Sequence, residues 1–252
     1  MRVVVLSSGS KGNTTYIECE KTKIIIDMGN TCKYVVEKLE GIGVKAEEID
    51  AIFITHTHVD HVKGLKVFLK KYGTKVYFTP KMREELSYIE NYLLIEQEEI
   101  ELGSLLIHVI QTSHDTADSV GYVIEGDNKV IVYITDTGYI HQRYFPILSN
   151  REMYILESNH DIEMLNQGRY SFALRQRILG DKGHLSNYDC SRYLSSFIGD
   201  KTKCIVLAHL SEENNTDELA YEALRERLEE NHQSVDKILI AKQDKETEEV
   251  LV

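Results

Sequence analysis

The sequence predicts an α/β fold in which two mixed sheets pack face to face and helices cover both outer sides. Three observations carry this prediction. Segments rich in Val, Ile and Tyr recur along the whole chain, as strands require. Helix-like patterns lie between some of these segments, and the first half also holds consecutive strands with no helix between them, which indicates hairpins.

The predicted elements alternate along the chain. The strands are expected at residues 3–7, 15–19, 23–27, 51–55, 75–79, 105–112, 120–125, 129–135, 153–157, 203–208 and 237–241. One helix is expected over residues 62–72, because Val62, Leu65 and Leu69 recur at helical spacing. Residues 187–198 and 217–231 have the same periodicity and predict two more helices.

Composition is that of an ordinary globular protein. The 252 residues are 42% hydrophobic and 28% charged, and only two prolines and no Gly/Ser-rich linker interrupt them, so we expect a single domain spanning residues 1–252. No apolar run approaches the ~20 residues that cross a bilayer, and the N-terminus predicts a first strand rather than a signal peptide. We therefore expect a cytoplasmic protein with no membrane partner. The sequence makes no prediction of an oligomeric state.

The net charge of −12 argues against a protein that coats nucleic acid through bulk charge. It does not exclude chemistry on nucleic acid at a local site, where two bound divalent cations would add positive charge. The four cysteines form no C-x-x-C pair, and we expect them to be reduced thiols.

A dense cluster of metal-binding side chains follows the predicted strand at 51–55. It consists of His56, His58, Asp60 and His61. In an extended segment side chains two apart point to the same side, so His56 and His58 can share one metal ion. A helix starting near Val59 would turn Asp60 and His61 toward a second ion. Imidazole and carboxylate ligands suit Zn, Mn or Fe.

Three further candidate ligands each stand alone at the end of an apolar strand. They are His114, Asp136 and His209. Taken singly, each is equally compatible with a surface loop. Together with the first cluster, they predict a site for two metal ions on the rim of a rigid sheet.

The pattern T-H-x-H-x-D-H, followed by a lone His, a lone Asp and a lone His, resembles the metallo-β-lactamase superfamily over essentially the whole chain. The resemblance implies the αββα sandwich, with the site at one edge of the two sheets and Asp27 bracing the metal loop. The segments SSGSKGN (7–13), LESNHD (156–161), GHLSN (183–187) and AHLSEENN (208–215) resemble the bacterial YycJ/WalJ subfamily. That subfamily implies a 5′→3′ DNA exonuclease, with DNA as the partner.

The resemblance also implies roles for individual residues. It implies that one metal ion, Zn or Mn, binds His56, His58 and His114. A second binds Asp60, His61 and His209, and Asp136 bridges the two. His184 is the alternative to His209 as the last ligand. Otherwise, by similarity to ribonuclease Z, His184 is a general acid oriented by Glu157. The expected catalytic residues are Asp60, Asp136, Glu157 and His184.

The expected mechanism is attack of a metal-bridged hydroxide on a phosphodiester. The expected substrate contacts are Ser8, Asn13, His160, Arg169 and Arg175. The two arginines belong to a locally basic, aromatic stretch over residues 169–192, which suits phosphate contacts and base stacking but equally suits an ordinary helical surface. Asp60 replaces the cysteine of the β-lactamases, which argues against antibiotic hydrolysis. Two alternatives stay open, a metallohydrolase of a thioester, lactone or cyclic phosphodiester, and an inactive binding module.

Overall fold

A computed structural model describes residues 1–252 and contains two seven-stranded mixed sheets. The first has the order β14 (Val250–Leu251), β1 (Arg2–Ser7), β2 (Thr14–Cys19), β3 (Thr22–Ile26), β4 (Ala51–Phe53), β5 (Lys75–Phe78), β6 (Tyr92–Leu94). The second has the order β13 (Lys237–Ile240), β12 (Cys204–Ala208), β11 (Met153–Glu157), β10 (Lys129–Ile134), β9 (Val120–Gly126), β8 (Leu105–Gln111), β7 (Glu99–Leu102).

Eight α-helices and three short 3₁₀ turns connect the strands. The helices are α1 (Cys32–Gly41), α2 (Val59–Val62), α3 (Leu65–Tyr72), α4 (Phe145–Leu148), α5 (Ile162–Gln167), α6 (Phe172–Leu179), α7 (Asn187–Phe197) and α8 (Asp217–Glu230). The 3₁₀ turns are Ala46–Glu48, Pro80–Met82 and Gln142–Tyr144. None of the helices has both the length and the apolar character needed to span a bilayer.

Each sheet is antiparallel on one side and parallel on the other. In the first sheet β1 to β3 pair antiparallel and β3 to β6 pair parallel. In the second, β7 to β10 pair antiparallel and β10 to β13 pair parallel. The carboxyl ends of parallel strands meet at one edge of a sheet, so the loops after β3, β4, β10, β11 and β12 leave from such edges.

The hydrophobic core joins the sheets to each other and to their helices. A cluster of 44 buried residues takes side chains from both sheets and from α1 and α3. A second cluster of 18 buried residues connects the second sheet with α4, α7 and α8. The predicted fold class, two mixed sheets flanked by helices, is confirmed.

The helix predicted over residues 62–72 forms as α3, but it starts three residues later than predicted, at Leu65. Helix α2 ends at Val62 and α3 begins at Leu65, because the chain passes very close to its neighbour at Gly64. A Cβ placed on Gly64 would lie 2.2 Å from the Asn30 carbonyl oxygen, and the Gly64 N–H donates to the Met28 carbonyl at 2.9 Å. Here a tertiary contact overrides the apolar periodicity.

Several elements were not predicted. Strand β6 has only three residues, and β7 alternates exposed with half-buried positions. Helix α6 contains no fully buried residue and therefore no clear apolar face. Such elements lack the strong periodicity on which prediction from sequence depends.

Candidate metal centre

The candidate ligands come from the ends of strands in both sheets. The metal loop 56–61 follows β4 of the first sheet, and His114, Asp136 and His209 lie beyond β8, β10 and β12 of the second. Asp136 and His209 have φ of +54° and +55°, and Asp27 after β3 has φ of +60°. Residues other than glycine rarely adopt this left-handed backbone conformation. Its presence marks sharp backbone turns at these strand ends.

The first group of side chains consists of His56, His58 and His114, whose nitrogen donors lie within 4.8 Å of one another. His58 Nδ1 lies 3.2 Å from His114 Nε2. When no metal ion is bound, one of these two nitrogens must carry a proton, because two unprotonated nitrogens would repel each other at this distance. His56 is completely buried, whereas His58 lies at the surface of the site. This group is open to solvent on the His58 side.

The second group consists of Asp60, His61 and His209, and its donor atoms also lie within 4.8 Å of one another. His209 Nε2 is 3.5 Å from Asp60 Oδ2 and 3.4 Å from Asp136 Oδ1. His61 Nε2 is 3.2 Å from Asp136 Oδ2. Asp136 also groups with His56 and His61, so its carboxylate lies between the two groups.

These residues fit a pair of divalent cations. The His56 Nε2, His209 Nε2 and Asp136 Oδ2 atoms are all buried and have no hydrogen-bond partner. Burying such atoms unpaired costs about 1–3 kcal/mol each. Cations at this position would coordinate all three atoms, and a donor set of imidazoles and carboxylates without thiolate suits Zn or Mn.

Asp27 braces the metal loop from beneath. Its Oδ2 accepts a hydrogen bond from His61 Nδ1 at 2.7 Å, and its two oxygens accept the N–H and hydroxyl of Thr55, each at 2.8 Å. Because Asp27 binds the Nδ1 side of the His61 ring, the Nε2 atom is directed at the candidate metal centre. The position matches the role expected from the superfamily resemblance.

Glu157 orients two imidazoles at once. Its Oε1 accepts from His184 Nδ1 at 2.7 Å and from His209 Nδ1 at 2.9 Å. Its Oε2 accepts the backbone N–H groups of Thr137 and Leu185, at 3.0 and 3.1 Å. All strong acceptor positions of this fully buried carboxylate are therefore used, and the Nε2 atom of each imidazole is left for other partners.

The carboxylates of the centre are held in their ionised form. Burial opposes ionisation of Asp136, but the His209 and His61 imidazoles outweigh it and hold the pKa of Asp136 well below its usual range. Burial likewise opposes the charge of Glu157, but His184 and His209 lower its pKa to about 2. The centre thus offers charged oxygens to a cation at neutral pH.

The pKa values of His61 and His209 shift in the opposite direction, whereas burial lowers those of His56 and His114. Burial lowers the pKa of His61, but Asp27 and Asp136 outweigh it and raise that pKa to about 10. Burial also disfavours the charge on His209, but Asp136, with further help from Asp60 and Glu157, raises the pKa of His209 well above its usual value. Coordination requires neutral imidazoles, so cations that bind here displace protons.

Comparison with known proteins assigns the chain to a family. Residues 24–197 match the family described as "Beta-lactamase superfamily domain". The chain is 39% identical over 226 residues to "Exodeoxyribonuclease WalJ" of Streptococcus pneumoniae serotype 2 (strain D39 / NCTC 7466), an alignment that covers 86% of this chain and 84% of WalJ. The chain belongs to the WalJ/YycJ family of the metallo-β-lactamase superfamily. It is also 34% identical over 233 residues to "Exodeoxyribonuclease YycJ" of Bacillus anthracis, which covers 90% of this chain and 88% of YycJ.

A solved structure agrees on the fold. The "metallo-beta-lactamase fold protein YhfI from Bacillus subtilis" superimposes with a TM-score of 0.75 at 20% identity and covers 99% of this chain and 98% of its own. Membership of the WalJ/YycJ family makes the chain a metal-dependent hydrolase. The superfamily fold implies divalent metal ions, and the two groups described above are their candidate ligands.

Three of the predicted substrate contacts are buried in this WalJ/YycJ family member. The Ser8 hydroxyl accepts the backbone N–H of His209 at 2.7 Å. Asn13, which is 1% exposed, accepts the Gly9 N–H at 2.8 Å and lies 3.0 Å from His61 Nε2. These contacts support a role in holding the metal-binding loops. His160 is also 1% exposed, neither of its ring nitrogens has a partner, and burial lowers its pKa to about 4.

A cleft of about 310 Å³ opens beside the candidate metal centre. Its lining includes His114 and His184 together with Tyr170, Arg177 and Lys182. Arg169 and Arg175, the predicted substrate contacts, do not line it, and the Arg175 guanidinium turns to the Asn166 carbonyl instead. Two other cations of the same 169–192 stretch, Arg177 and Lys182, line the cleft. Sequence reasoning also missed three polar residues of the lining, which are Ser10, Asn159 and Ser211.

Proposed function

We propose that this chain is a two-metal phosphodiesterase that removes nucleotides from DNA as a 5′→3′ exonuclease. One observation carries the proposal. A chain 39% identical to an exodeoxyribonuclease has buried, unpartnered donor atoms converging at the ends of its strands. The same atoms would be an unexplained cost in a protein without bound cations.

The proposed ligands divide into two sets that share one carboxylate. The first set is His56, His58 and His114, and the second is Asp60, His61 and His209. Asp136, which lies close to His56 of the first set and His61 of the second, would be shared between them. When bound, two divalent cations, Zn or Mn, supply Lewis-acid activation of water and neutralise charge on the phosphate. Asp60 and Asp136 serve catalysis by holding these charges in place.

His209 is the proposed last ligand, rather than His184. Its Nε2 is buried without a partner and lies 3.5 Å from Asp60 Oδ2, inside the second group of donors. His184 also lies within reach of Asp136, Glu157 and His209, but it does not group with Asp60 and His61, and it lines the cleft. An imidazole in the cleft is accessible to a substrate, whereas the buried His209 ring is not.

His184 is the proposed proton donor to the leaving oxygen. Glu157 Oε1 binds its Nδ1 at 2.7 Å, which fixes the ring and leaves Nε2 free to deliver a proton to a group in the cleft. Glu157 does not face the substrate itself, since it is fully buried, and it therefore acts as a positioning residue for both His184 and His209.

The proposal extends to the context in which the protein acts. The chain forms one domain, since the 44-residue core cluster takes side chains from both sheets. It works in the cytoplasm, where a nuclease meets DNA and where its four free, buried cysteines stay reduced. DNA is the proposed partner.

The direct test is hydrolysis of end-labelled double-stranded DNA with and without Mn²⁺, beside the Asp136→Ala variant. We expect stepwise release from the 5′ end by the wild type and no release by the variant. Cleavage by Asp136→Ala at the wild-type rate would contradict the two-metal scheme, and release from the 3′ end would contradict the polarity.

A second candidate is hydrolysis of a small molecule such as a thioester, a lactone or a cyclic phosphodiester. The net charge of −12 and the small cleft of about 310 Å³ favour it. Absence of DNA cleavage, together with Asp136-dependent hydrolysis of such a compound, would establish this function instead.

A further inference from the structure

Two cations, Arg177 and Lys182, line the cleft beside the metal centre in an otherwise acidic protein, and together we call them the cationic wall. The segment 169–182 carries four cations against one anion, although the whole chain has a net charge of −12. Only Arg177 and Lys182 of these four cations line the cleft. The lining also contains the carboxylate Asp115 and three uncharged polar residues, which are Ser10, Asn159 and Ser211.

Both cations are available to a ligand. Lys182 is exposed and forms no ion pair with any carboxylate of the chain. Arg177 donates its Nε to Asp115 Oδ2, which leaves both of its terminal Nη groups free. The other oxygen of Asp115 lies 3.5 Å from His114 Nε2, so a single carboxylate separates the guanidinium from a proposed metal ligand.

The cationic wall is fixed to the metal centre through the backbone. The Gly183 carbonyl lies 3.1 Å from His114 Nδ1 and accepts its proton, and the His184 N–H donates to the Ile178 carbonyl at 3.0 Å. A Cβ on Gly183 would lie 2.0 Å from that same Ile178 oxygen, so the chain packs tightly on the end of α6. Arg177 and Lys182 therefore extend from a segment that also carries His184.

We propose that Arg177 and Lys182 form a subsite for the terminal 5′-phosphate of a DNA strand. This inference rests on the proposed nuclease function. A terminal phosphomonoester carries a charge of about −1.5 to −2, which two cations match, whereas an internal phosphodiester carries only one negative charge. A cleft of about 310 Å³ is at the small end of ligand sites, which suits one end nucleotide, and Tyr170 offers a ring for its base. Asp115 keeps Arg177 in place before the substrate arrives.

The test uses full-length, Mn²⁺-loaded protein and a short DNA oligonucleotide whose phosphorothioate linkages resist hydrolysis. Its affinity is measured by fluorescence anisotropy with a 5′-phosphate and with a 5′-hydroxyl. We expect the wild type to prefer the phosphate. Lys182→Gln and Arg177→Gln should each lower the affinity for the phosphorylated strand about tenfold and leave the hydroxyl strand unchanged. Lys182 has no partner within the chain, so its variant leaves no carboxylate unpaired.

Lys201→Gln is the matched control, because it removes the same charge from an exposed position outside the cleft, and it should bind both strands like the wild type. Equal losses on both strands, or no loss in either variant, would overturn the subsite. Hydrolysis of unmodified DNA by the wild type separates the two proposals. If the wild type hydrolyses DNA but binds the 5′-phosphate and 5′-hydroxyl strands equally well, only the subsite is refuted. If the wild type neither binds nor cleaves DNA, the nuclease function is refuted as well.

Discussion

Four imidazoles around the proposed metal centre each have one ring nitrogen bound by an oxygen of the protein. Asp27 binds His61, Glu157 binds both His184 and His209, and the Gly183 carbonyl binds His114. These contacts select the tautomer and fix the ring plane before any cation or substrate binds. The difference between a ligand and a proton donor is then decided by where the second nitrogen lies, which is in the buried centre for His209 and in the cleft for His184.

That difference predicts distinct behaviour for two alanine variants. His184→Ala should keep both metal ions and lose about 10²- to 10⁴-fold in kcat on DNA, because only the proton donor is missing. Bis(p-nitrophenyl) phosphate, whose leaving group needs no proton, should be hydrolysed at nearly the wild-type rate. His209→Ala should lose one metal ion. Mass spectrometry measures the metal content of both variants, and steady-state kinetics measures their rates on both substrates. If His184→Ala lost a metal ion and His209→Ala kept both, His184 would be the ligand and His209 the proton donor.

His160 predicts a pH dependence of stability. Its pKa in the folded protein is about 4, below the ~6.5 of an unfolded histidine, so the unfolded chain binds the proton more tightly. Its contribution is fully present above about pH 6.5 and is lost as the pH falls toward 4, by about 2 kcal/mol between pH 7 and pH 5. Urea unfolding of metal-free wild type and His160→Gln at both pH values measures it. An equal loss in both proteins would contradict the prediction.

At the scale of the elements, the loops that carry the ligands are bonded to one another through their backbones. The Asn13 N–H donates to the Asp60 carbonyl at 2.8 Å, and the Met28 N–H donates to the His61 carbonyl at 2.8 Å. The Gly29 N–H donates to the Asn13 carbonyl at 2.9 Å. The loops after β1 and β3 thereby form a support for the metal loop, and small residues are needed where they meet.

Gly29 is the position where this support tolerates no side chain. A Cβ there would lie 1.7 Å from the Asp60 carbonyl oxygen, so Gly29→Ala should displace the metal loop and destabilise the fold by about 3 kcal/mol or more. Gly41→Ala is the matched control, since a Cβ at Gly41 meets nothing within 4 Å, and it should be neutral or slightly stabilising. Urea unfolding of both variants tests the difference, and similar stabilities would refute the close approach.

At the scale of the molecule, the proposed centre connects the two sheets. The loop 56–61 belongs to the first sheet, whereas His114, Asp136 and His209 follow strands of the second. Cations bound by both sets of ligands would hold the two sheets together, in addition to the apolar core between them. Metal binding is therefore coupled to the stability of the whole fold.

This coupling predicts a metal-dependent melting temperature. A cation at about 100 times its Kd stabilises the native state by about 2.7 kcal/mol, which corresponds to a rise of about 5–10 °C for a chain of this size. Differential scanning calorimetry of chelated and Mn²⁺- or Zn²⁺-loaded protein measures the shift. The Asp136→Ala variant should show little of it, and a full shift in that variant would place the stabilising ion elsewhere.

Local signals were sufficient for much of this architecture. Strands such as β1, β10 and β12 are apolar runs of the length that strands have, so the fold class followed from their number and order. The seven proposed ligands were identifiable because they cluster in sequence or directly follow such strands. Elements with weak periodicity, such as β6 and α6, were not identifiable by the same reasoning.

The sequence by itself determined the family, the fold class and the side chains available to the metals, since each shows in local patterns such as apolar strands and the polar residues that follow them. Only the tertiary structure decided which basic residues face the cleft. Helix α6 buries none of its residues, so its pattern does not reveal that Arg177 faces the cleft and Arg175 does not. The tertiary structure also turned Ser8, Asn13 and His160 inward, because the direction of a loop side chain is set by packing against distant segments rather than by its neighbours in sequence.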